Sequence, residues 1–571
     1  MPPAAVLLAN SHDSWCLPEH GPAPDAPYHH MRTPKALAPI GADEACALDA
    51  WWKILRAVKG EGVTRTFLVC NAAFFKHFER WATASDFPVD CIINDGTTDA
   101  ASGLGPAASL ALLTRRTGTV EGIIVMDCEL GAPDAAARAG IANRLDDVGS
   151  FALRMEASGP PWTWSAPVLV LTAPALQSIV DGEADLKVHG GLGALSQALA
   201  LESKTLFAPA SLARFDPPAR PAQPLAAVEP PIVQRACCRV GVMGNPSDGF
   251  FGKTISLSVA NFWAEVRLWP SKRLAILPHP LYDPLSFGGL ADLHAIVSHE
   301  GTNGGVRLLL AACKRFYEYC QAHAIELRHA GCTLAYDTNV PRQVGLAGSS
   351  AILTATVRAL MQFHGVGAAQ LPTEALPSLV LAIERDELGI NAGLQDRVIQ
   401  AYGGLVFMDF ERAHLQATGR GKYERLPIEL APPLWLAYLA DPSDSGKIHN
   451  DVRQRYDAGD AAVVAGMARF GAMTSDARQA ILDGDRARLG ELMDSNFALR
   501  RTLYGDGALG AANLKMVQIA QRHGVPAKFP GSGGAVVGLC IDDAAAMTAM
   551  QHELERNGCV FVRVAPAPPL G

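Results

Sequence analysis

The stretch 211–231, "SLARFDPPARPAQPLAAVEPP", carries six prolines and almost no periodic hydrophobicity. Proline fixes φ and removes a backbone donor, so a segment this rich in it reads as an extended, semi-rigid spacer rather than core. It divides a chain of 571 residues, too long for one ordinary core, and a prior of roughly 150 residues per unit predicts three or four units. The boundaries read here are 1–212, a spacer at 213–232, and two carboxyl-terminal halves at 233–425 and 426–571.

Ahead of the spacer, apolar runs alternate with helix-like segments. "AAVLLAN" precedes "ALDAWWKILRAV", "RTFLVCN" precedes "FFKHFERWA", and "DCIIND" precedes "AASLALLTRR"; "GIIVMDCEL" and "APVLVLTA" are further apolar runs. This pattern predicts an α/β fold, a doubly wound, mostly parallel sheet with helices on both faces. Ligands of such folds sit at the carboxyl ends of the strands, where Asn71, Asn94, Asp95 and Asp127 fall.

Behind the spacer the grammar is α+β. "CCRVGVMG", "ISLSVANFWAEVRLWP", "RLAILP" and "CTLAYDT" read as strands, and "GGVRLLLAACKRFYEYCQAH", "SSAILTATVRALMQF" and "PSLVLAIERDEL" as helices. From Pro427 come "PPLWLAYL", helices between Val452 and Leu503, "LKMVQIAQRHG" and a closing "GGAVVGLCI".

An apolar content of 49% with 19% charged residues is that of a globular protein. A net charge of −8 provides no basic face for nucleic acid or anionic membrane, and no window approaches ~20 uninterrupted apolar residues. The opening "MPPAAVLLANSHDSWC" lacks a basic segment before its apolar run and reads as a first strand. Twelve cysteines without a CxxC pair predict reduced thiols and a cytoplasmic protein.

Four stretches can carry chemistry. In "PRQVGLAGSSAILTATVRAL", glycines and serines run into a helix whose apolar residues Ile352, Ala355, Ala359 and Phe363 recur at steps of three and four. Such a turn is either a plain glycine turn with Ser349 or Ser350 as cap, or a phosphate cradle of backbone N–H groups at a helix start. "GKT" at Gly252–Thr254 is not a Walker loop, because that motif needs a glycine where Ser247 stands. "KFPGSGGAVVGL" places Gly531, Gly533 and Gly534 ahead of a strand, which implies close backbone approach to a ligand or to another segment. In "IERDELGINAGLQDR", Glu384 and Asp396 flank a glycine-containing turn; one carboxylate could hold Mg²⁺ and the other accept a proton from a hydroxyl.

Taken along the chain, these stretches resemble the motifs of the GHMP-family small-molecule kinases, and those of the plant-type glucuronokinases in particular. "RVGVMGNPSDGFFGKTISLSVANFWAEV" resembles the first motif, "PRQVGLAGSSA" the second, "KFPGSGGAVV" the third, and "GLQDR" the segment of the catalytic aspartate. The resemblance implies an S5-like half and a ferredoxin-like half with ATP between the motifs. It implies that Gly345, Leu346, Ala347, Gly348, Ser349 and Ser350 wrap the ATP phosphates, that Ser350 and Glu384 ligate Mg²⁺, and that Asp396 is the base for the anomeric hydroxyl. Arg239 falls where the galactose-type members carry an arginine near the transferring phosphoryl group, and Asp248 where they bind sugar hydroxyls. Those members have Glu-His where this chain has Asn245-Pro246. Loss of that carboxylate suits an anionic substrate, for whose carboxylate Lys253, Arg342 and Arg397 are candidate partners. The implied activity is glucuronate 1-phosphorylation; a kinase for arabinose, galactose or galacturonate, or a sugar sensor without turnover, are the alternatives.

The amino-terminal part resembles a sugar-phosphate nucleotidyltransferase in "MRTPKALAPIG", "FLVCNAAFFKHFERWA", "IINDGTT" and "GIIVMDCEL". The resemblance makes Lys35 part of its P-K-A-L motif and Asp127 a metal-binding aspartate. The glycine-rich loop of such enzymes is replaced by "LLANSHDSWC", where only Asn10, Ser11 and His12 offer hydrogen bonds. An active domain would use UTP to make UDP-glucuronate; an inactive one would be structural or regulatory. Oligomeric state is not legible.

Overall fold

The computed structural model describes residues 4–9, 15–16, 33–37, 46–58, 65–99, 102–118, 122–128, 132–133, 151–155, 168–181, 192, 195, 198–199, 202–207 and 212–213, then 231–285, 287, 289–290, 293–294, 296–297, 304–328, 330–390, 392–439 and 451–570. The chain divides into one unit of Met1–Ala227 with Glu555–Asn557 and another of Val228–Leu554 with Gly558–Gly571.

The first unit is built on a seven-stranded sheet in the order Glu202–Phe207, Phe151–Met155, Val168–Thr172, Gly122–Asp127, Ala4–Ala9, Thr66–Cys70, Ile92–Asn94. The last four are mutually parallel neighbours. Val168–Thr172 runs antiparallel to both of its neighbours, so the sheet is mixed rather than uniformly wound. Val6, Leu7, Leu68, Val69, Ile123 and Val125 are fully buried, which is why these strands read as continuous apolar runs.

In the second unit, the long strand Lys253–Ser271 pairs antiparallel with Ile232–Met243, Gly331–Thr338 and Leu405–Asp409. Ala275–Ile276 and Lys422–Leu426 extend the sheet at its two edges. Helix Gly348–His364 packs against this sheet and against helix Gly305–Ala322. The expected stripe Ile352, Ala355, Ala359, Phe363 is buried, and so are Ala351, Leu353, Thr354, Thr356 and Val357. A helix covered on both sides is apolar nearly all round, and this one carries its glycine-rich start into the interior.

The carboxyl-terminal half is a four-stranded antiparallel sheet in the order Ala527–Lys528, Ala535–Leu539, Leu434–Leu439, Cys559–Arg563. It is accompanied by helices Ala461–Asp483, Arg486–Leu509, Ala511–Arg522 and Ala544–Arg556. The last helix and the last strand lie beyond "GGAVVGLCI", where the sequence reading stopped; a five-residue apolar run such as "CVFVR" cannot be assigned by periodicity alone. Among the described residues no helix is long and apolar enough to cross a membrane, and the eleven cysteines whose side chains are described are free thiols.

Residues of both halves share one apolar core. At their junction the buried rings of Phe262 and Tyr438 meet edge to face, with centroids 6.0 Å apart. Phe262→Ala should therefore cost about 3–5 kcal/mol, read as a lower urea midpoint. The two halves of this unit should still unfold in one transition, and a transition split in two would show that their cores are independent.

Candidate active site

The glycine-rich loop owes its shape to backbone conformations rather than to a cap. Gln343, Gly345 and Ala347 all have positive φ, and Ala347, the residue at the N-cap, makes no side-chain capping bond. Ser349 and Ser350, expected in the first turn or as caps, lie in the first turn, and their hydroxyls do not cap it. Both hydroxyls donate to the Glu384 carboxylate, at 3.1 Å from Ser349 and 3.0 Å from Ser350. The backbone N–H groups of the loop and first turn thus stand at the positive end of a helix dipole.

Glu384 is 0% exposed and sits in a single π-helical turn, Ile383–Glu387, at the end of helix Leu376–Ala382. A carboxylate buried this deeply needs a counter-charge, and Arg397 supplies it through Nε and Nη2. Arg397 also reaches Asp396, at 3.4 Å, and donates to the Gly393 carbonyl at 2.8 Å. Asp396 in turn accepts from Arg239 Nε at 2.6 Å, and Arg239 Nη1 donates to the Gly345 carbonyl at 2.7 Å. Burial would raise the Asp396 pKa, but Arg239 and Arg397 outweigh it and hold the carboxyl below its ordinary value. Its place in the first turn of helix Gln395–Tyr402 acts in the same direction.

The third glycine stretch interlocks with the second. A Cβ on Gly345 would lie 2.7 Å from the Gly533 carbonyl oxygen, one on Gly534 2.6 Å from that of Gln343, and one on Gly531 2.6 Å from that of Gly345. Gly533 and Gly534 are therefore occupied by the neighbouring loop; Gly531 and Ser532 reach the cavity wall. Next to them Lys528, 1% exposed, donates to the carbonyls of Gly241 and Phe529 and to Asn245 Oδ1, at 2.7, 2.8 and 2.8 Å. Burial, with Arg500 and Arg239 adding to it, pushes the Lys528 amine well below its usual pKa.

These elements enclose a cavity of about 860 Å³. It brings together the loop residues Gly345–Ser350 with Glu384, Asp396, Arg397, Arg239, Asp248 and Asn245. Lys253 is not brought there: its ammonium pairs with Asp409 at 3.2 Å. Arg397 lines the cavity while engaged with two carboxylates. Arg342 lies over the Tyr282 ring and donates to the Tyr282 carbonyl at 3.1 Å. Arg307 and Arg500 line the cavity without having been singled out from the sequence, and Lys528, likewise not singled out, stands beside it, donating to Asn245; Arg500 interrupts the buried stripe Leu492, Met493, Asn496, Phe497, Leu503 of its helix. A cation in the middle of such a stripe was the available signal.

In the first unit, Asn94 and Asp127 end parallel strands, Asn71 and Asp95 directly follow such strands, and all four share one edge of the sheet. Asn71 Oδ1 accepts from the Phe74 N–H, Asn94 Oδ1 from that of Gly96 and Asp95 Oδ1 from that of Thr97, each at 2.9 Å. These side chains hold their own loops in shape. Lys35 begins the short helix Lys35–Leu37, its side chain lying outside the described residues, as do Asn10, Ser11 and His12.

A nucleotide-sized cavity with a phosphate-type loop, a hydroxyl–carboxylate pair and an arginine-held aspartate defines a small-molecule kinase site. Residues 307–404 match the family "GHMP kinases N terminal domain", and residues 477–558 match "GHMP kinases C terminal". Glucuronokinase 1 of Arabidopsis thaliana is 46% identical over 338 residues, covering 59% of this chain and 93% of its own length. Probable glucuronokinase 2 of the same plant is 45% identical over 335 residues, covering 58% and 91%. A mevalonate kinase of Pyrococcus furiosus is 25% identical, covering 43% and 66%. The chain belongs to the GHMP kinases and has their fold in its second unit, where its similarity to the plant glucuronokinases lies.

Asp248, in the turn Ser247–Phe250, presses against the backbone of Gly393. Burial and then the nearby Asp396 charge raise its pKa to about 6. Between about pH 4 and 6 the unfolded chain releases this proton while the folded one keeps it. Stability is therefore lost as pH rises through that window, and the deficit persists above it. Asp248→Asn removes the deficit: its melting temperature should match the parent near pH 4 and exceed it at pH 7–8. A gap that is independent of pH would refute this.

Proposed function

We propose that this chain is an ATP-dependent sugar 1-kinase whose substrate is D-glucuronate. The observation carrying the reading is Asp396, kept ionised by Arg239 and Arg397 at the wall of the cavity that the glycine loop opens onto. In the proposed reaction the Asp396 carboxylate takes the proton of the C1 hydroxyl. The C1 oxygen forms its bond to the γ-phosphorus of ATP while the bond to the β–γ bridging oxygen breaks, giving the sugar 1-phosphate and ADP. Backbone N–H groups of residues 345–350 hold the phosphates, and Arg239 neutralises charge on the transferring group. Ser350 Oγ and Glu384, 3.0 Å apart, are hard oxygen donors that suit Mg²⁺ shared with a triphosphate. A carboxylate has room to accept from Arg397 as well. When bound, the ion neutralises phosphate charge. The relatives' names, which specify glucuronate, support the substrate. So does Asn245, whose neutral amide accepts from Lys528 where the galactose-type motif has a carboxylate.

The first unit we read as a nucleotidyltransferase-like domain at 1–212, followed by a linker at 213–232 and the two kinase halves at 233–425 and 426–571. The support is the row of polar residues at the carboxyl ends of parallel strands. If active, it uses UTP to convert glucuronate 1-phosphate into UDP-glucuronate; otherwise it is structural or regulatory. We read the whole protein as cytoplasmic, binding small molecules and neither nucleic acid nor membrane.

Incubation with ATP, Mg²⁺ and a sugar panel should show glucuronate-dependent ADP release; its absence removes the substrate assignment. Asp396→Asn should lower kcat about 10²–10⁴-fold and leave the glucuronate KM little changed. For the first unit, glucuronate 1-phosphate and UTP should release pyrophosphate, and none in the presence of an intact kinase would mark this unit as non-catalytic.

A further inference from the structure

The cavity contains a cation that no motif accounts for. Arg500, on helix Arg486–Leu509, is 3% exposed and lines the cavity. Its Nη1 donates to the Gly531 carbonyl at 2.8 Å and its Nη2 to the Ser532 carbonyl at 3.4 Å. Its guanidinium lies over the rings of Phe529 and Tyr504, at 5.2 and 5.5 Å. One turn earlier, Asn496 accepts from the Gly244 N–H at 3.0 Å, so this helix face is held against both the first and the third motif. Arg500 is fixed in place and still incompletely satisfied. Its Nε has no hydrogen-bond partner, and among the described residues no carboxylate lies within ion-pairing distance of it. Guanidinium carries five N–H donors in a planar fork, and a buried one without a counter-charge is costly.

The other cavity arginines have partners, Arg307 donating to the Leu388 carbonyl at 2.9 Å. Arg239 and Arg397 hold Asp396 and Glu384. Arg342 works at the Tyr282 and Tyr336 end of the cavity, where its charge acts on Tyr336. Arg500 belongs to the opposite, acceptor side. Asp248 feels Asp396 and acts on Arg500, and Arg500 acts on Lys528. A substrate placed with a hydroxyl at Asp396 therefore has this fork nearby.

Resting on the sugar-kinase reading, we infer that Arg500 recognises the carboxylate of a sugar-acid substrate, pairing with it through its remaining N–H groups and so selecting uronic acids over the corresponding neutral sugars. The desolvated pair would be charge-assisted and directional, and it would supply the missing counter-charge only in the complex.

The test uses the full chain with ATP and Mg²⁺ and two acceptors, glucuronate and glucose, in the parent, Arg500→Gln and Arg500→Lys. Arg500→Gln should raise the glucuronate KM about ten- to a hundredfold. The ATP KM should stay unchanged, and glucose, as acceptor or as competitor against glucuronate, should bind no more weakly, so that discrimination between the two sugars falls by the same factor. Arg500→Lys keeps the charge and loses the fork, and should lie between. If Arg500→Gln does not fold, Arg500→Lys decides alone by the same ratio. An unchanged glucuronate KM, an equal loss with both sugars, or a rise in the ATP KM instead overturns the inference and leaves the kinase reading standing. Absence of turnover of any sugar acid by the parent chain removes the uronate assignment and this inference with it.

Discussion

Four charges in alternating order, Arg239, Asp396, Arg397 and Glu384, form a chain through the interior of the second unit. They come from the strand Ile232–Met243, the helix Gln395–Tyr402 and the π turn Ile383–Glu387. None could be buried alone, since an isolated charge of this kind would neutralise or open its surroundings to water. Paired, they fix the mutual placement of three elements. The same two arginines that make burial tolerable hold the Asp396 carboxyl below its ordinary value, the state that the proposed base needs. One set of contacts would thus meet both the structural demand and that of the proposed reaction.

Around that chain the backbone is brought unusually close to itself. The loop around Gly345 and the stretch Gly531–Gly534 approach so closely that a methyl group on Gly345, Gly531 or Gly534 would overlap a carbonyl oxygen of the facing segment. The interlock connects the two halves at the cavity, with Arg239 bonded to the Gly345 carbonyl and Arg500 to that of Gly531. Glycine is required here first by protein–protein packing, and the exposed N–H groups for a phosphate follow from the same geometry.

Much of this was legible before any fold was known. The second motif, the carboxylates Glu384 and Asp396 and Arg239 were named from local strings that resemble family motifs, and all of them line one cavity. Other assignments depend on what each side chain meets. Ser349 and Ser350 look like caps until Glu384, more than thirty residues away, takes their hydroxyls. Lys253 looks available until Asp409 is paired beside it across the sheet. Arg500 and Arg501 are adjacent and identical in type, yet one is buried in the cavity wall and the other forms an exposed pair with Asp506. Nothing local separates them, because on a helix facing direction is set by about 100° per residue together with what the helix packs against.

By itself the amino-acid sequence determined the alternation of elements in each unit, the glycine positions where the backbone turns, and which carboxylates stand near which loops. These properties rest on short-range sterics and hydrophobic period, which act between near neighbours in the chain. Tertiary structure alone decided which charges pair, which glycines face the neighbouring loop, and that Arg500 lies in the cavity wall with no carboxylate among the described residues within ion-pairing distance. Those outcomes depend on distances between residues far apart in sequence, and the cost of burying a charge is settled only when its partners are in place.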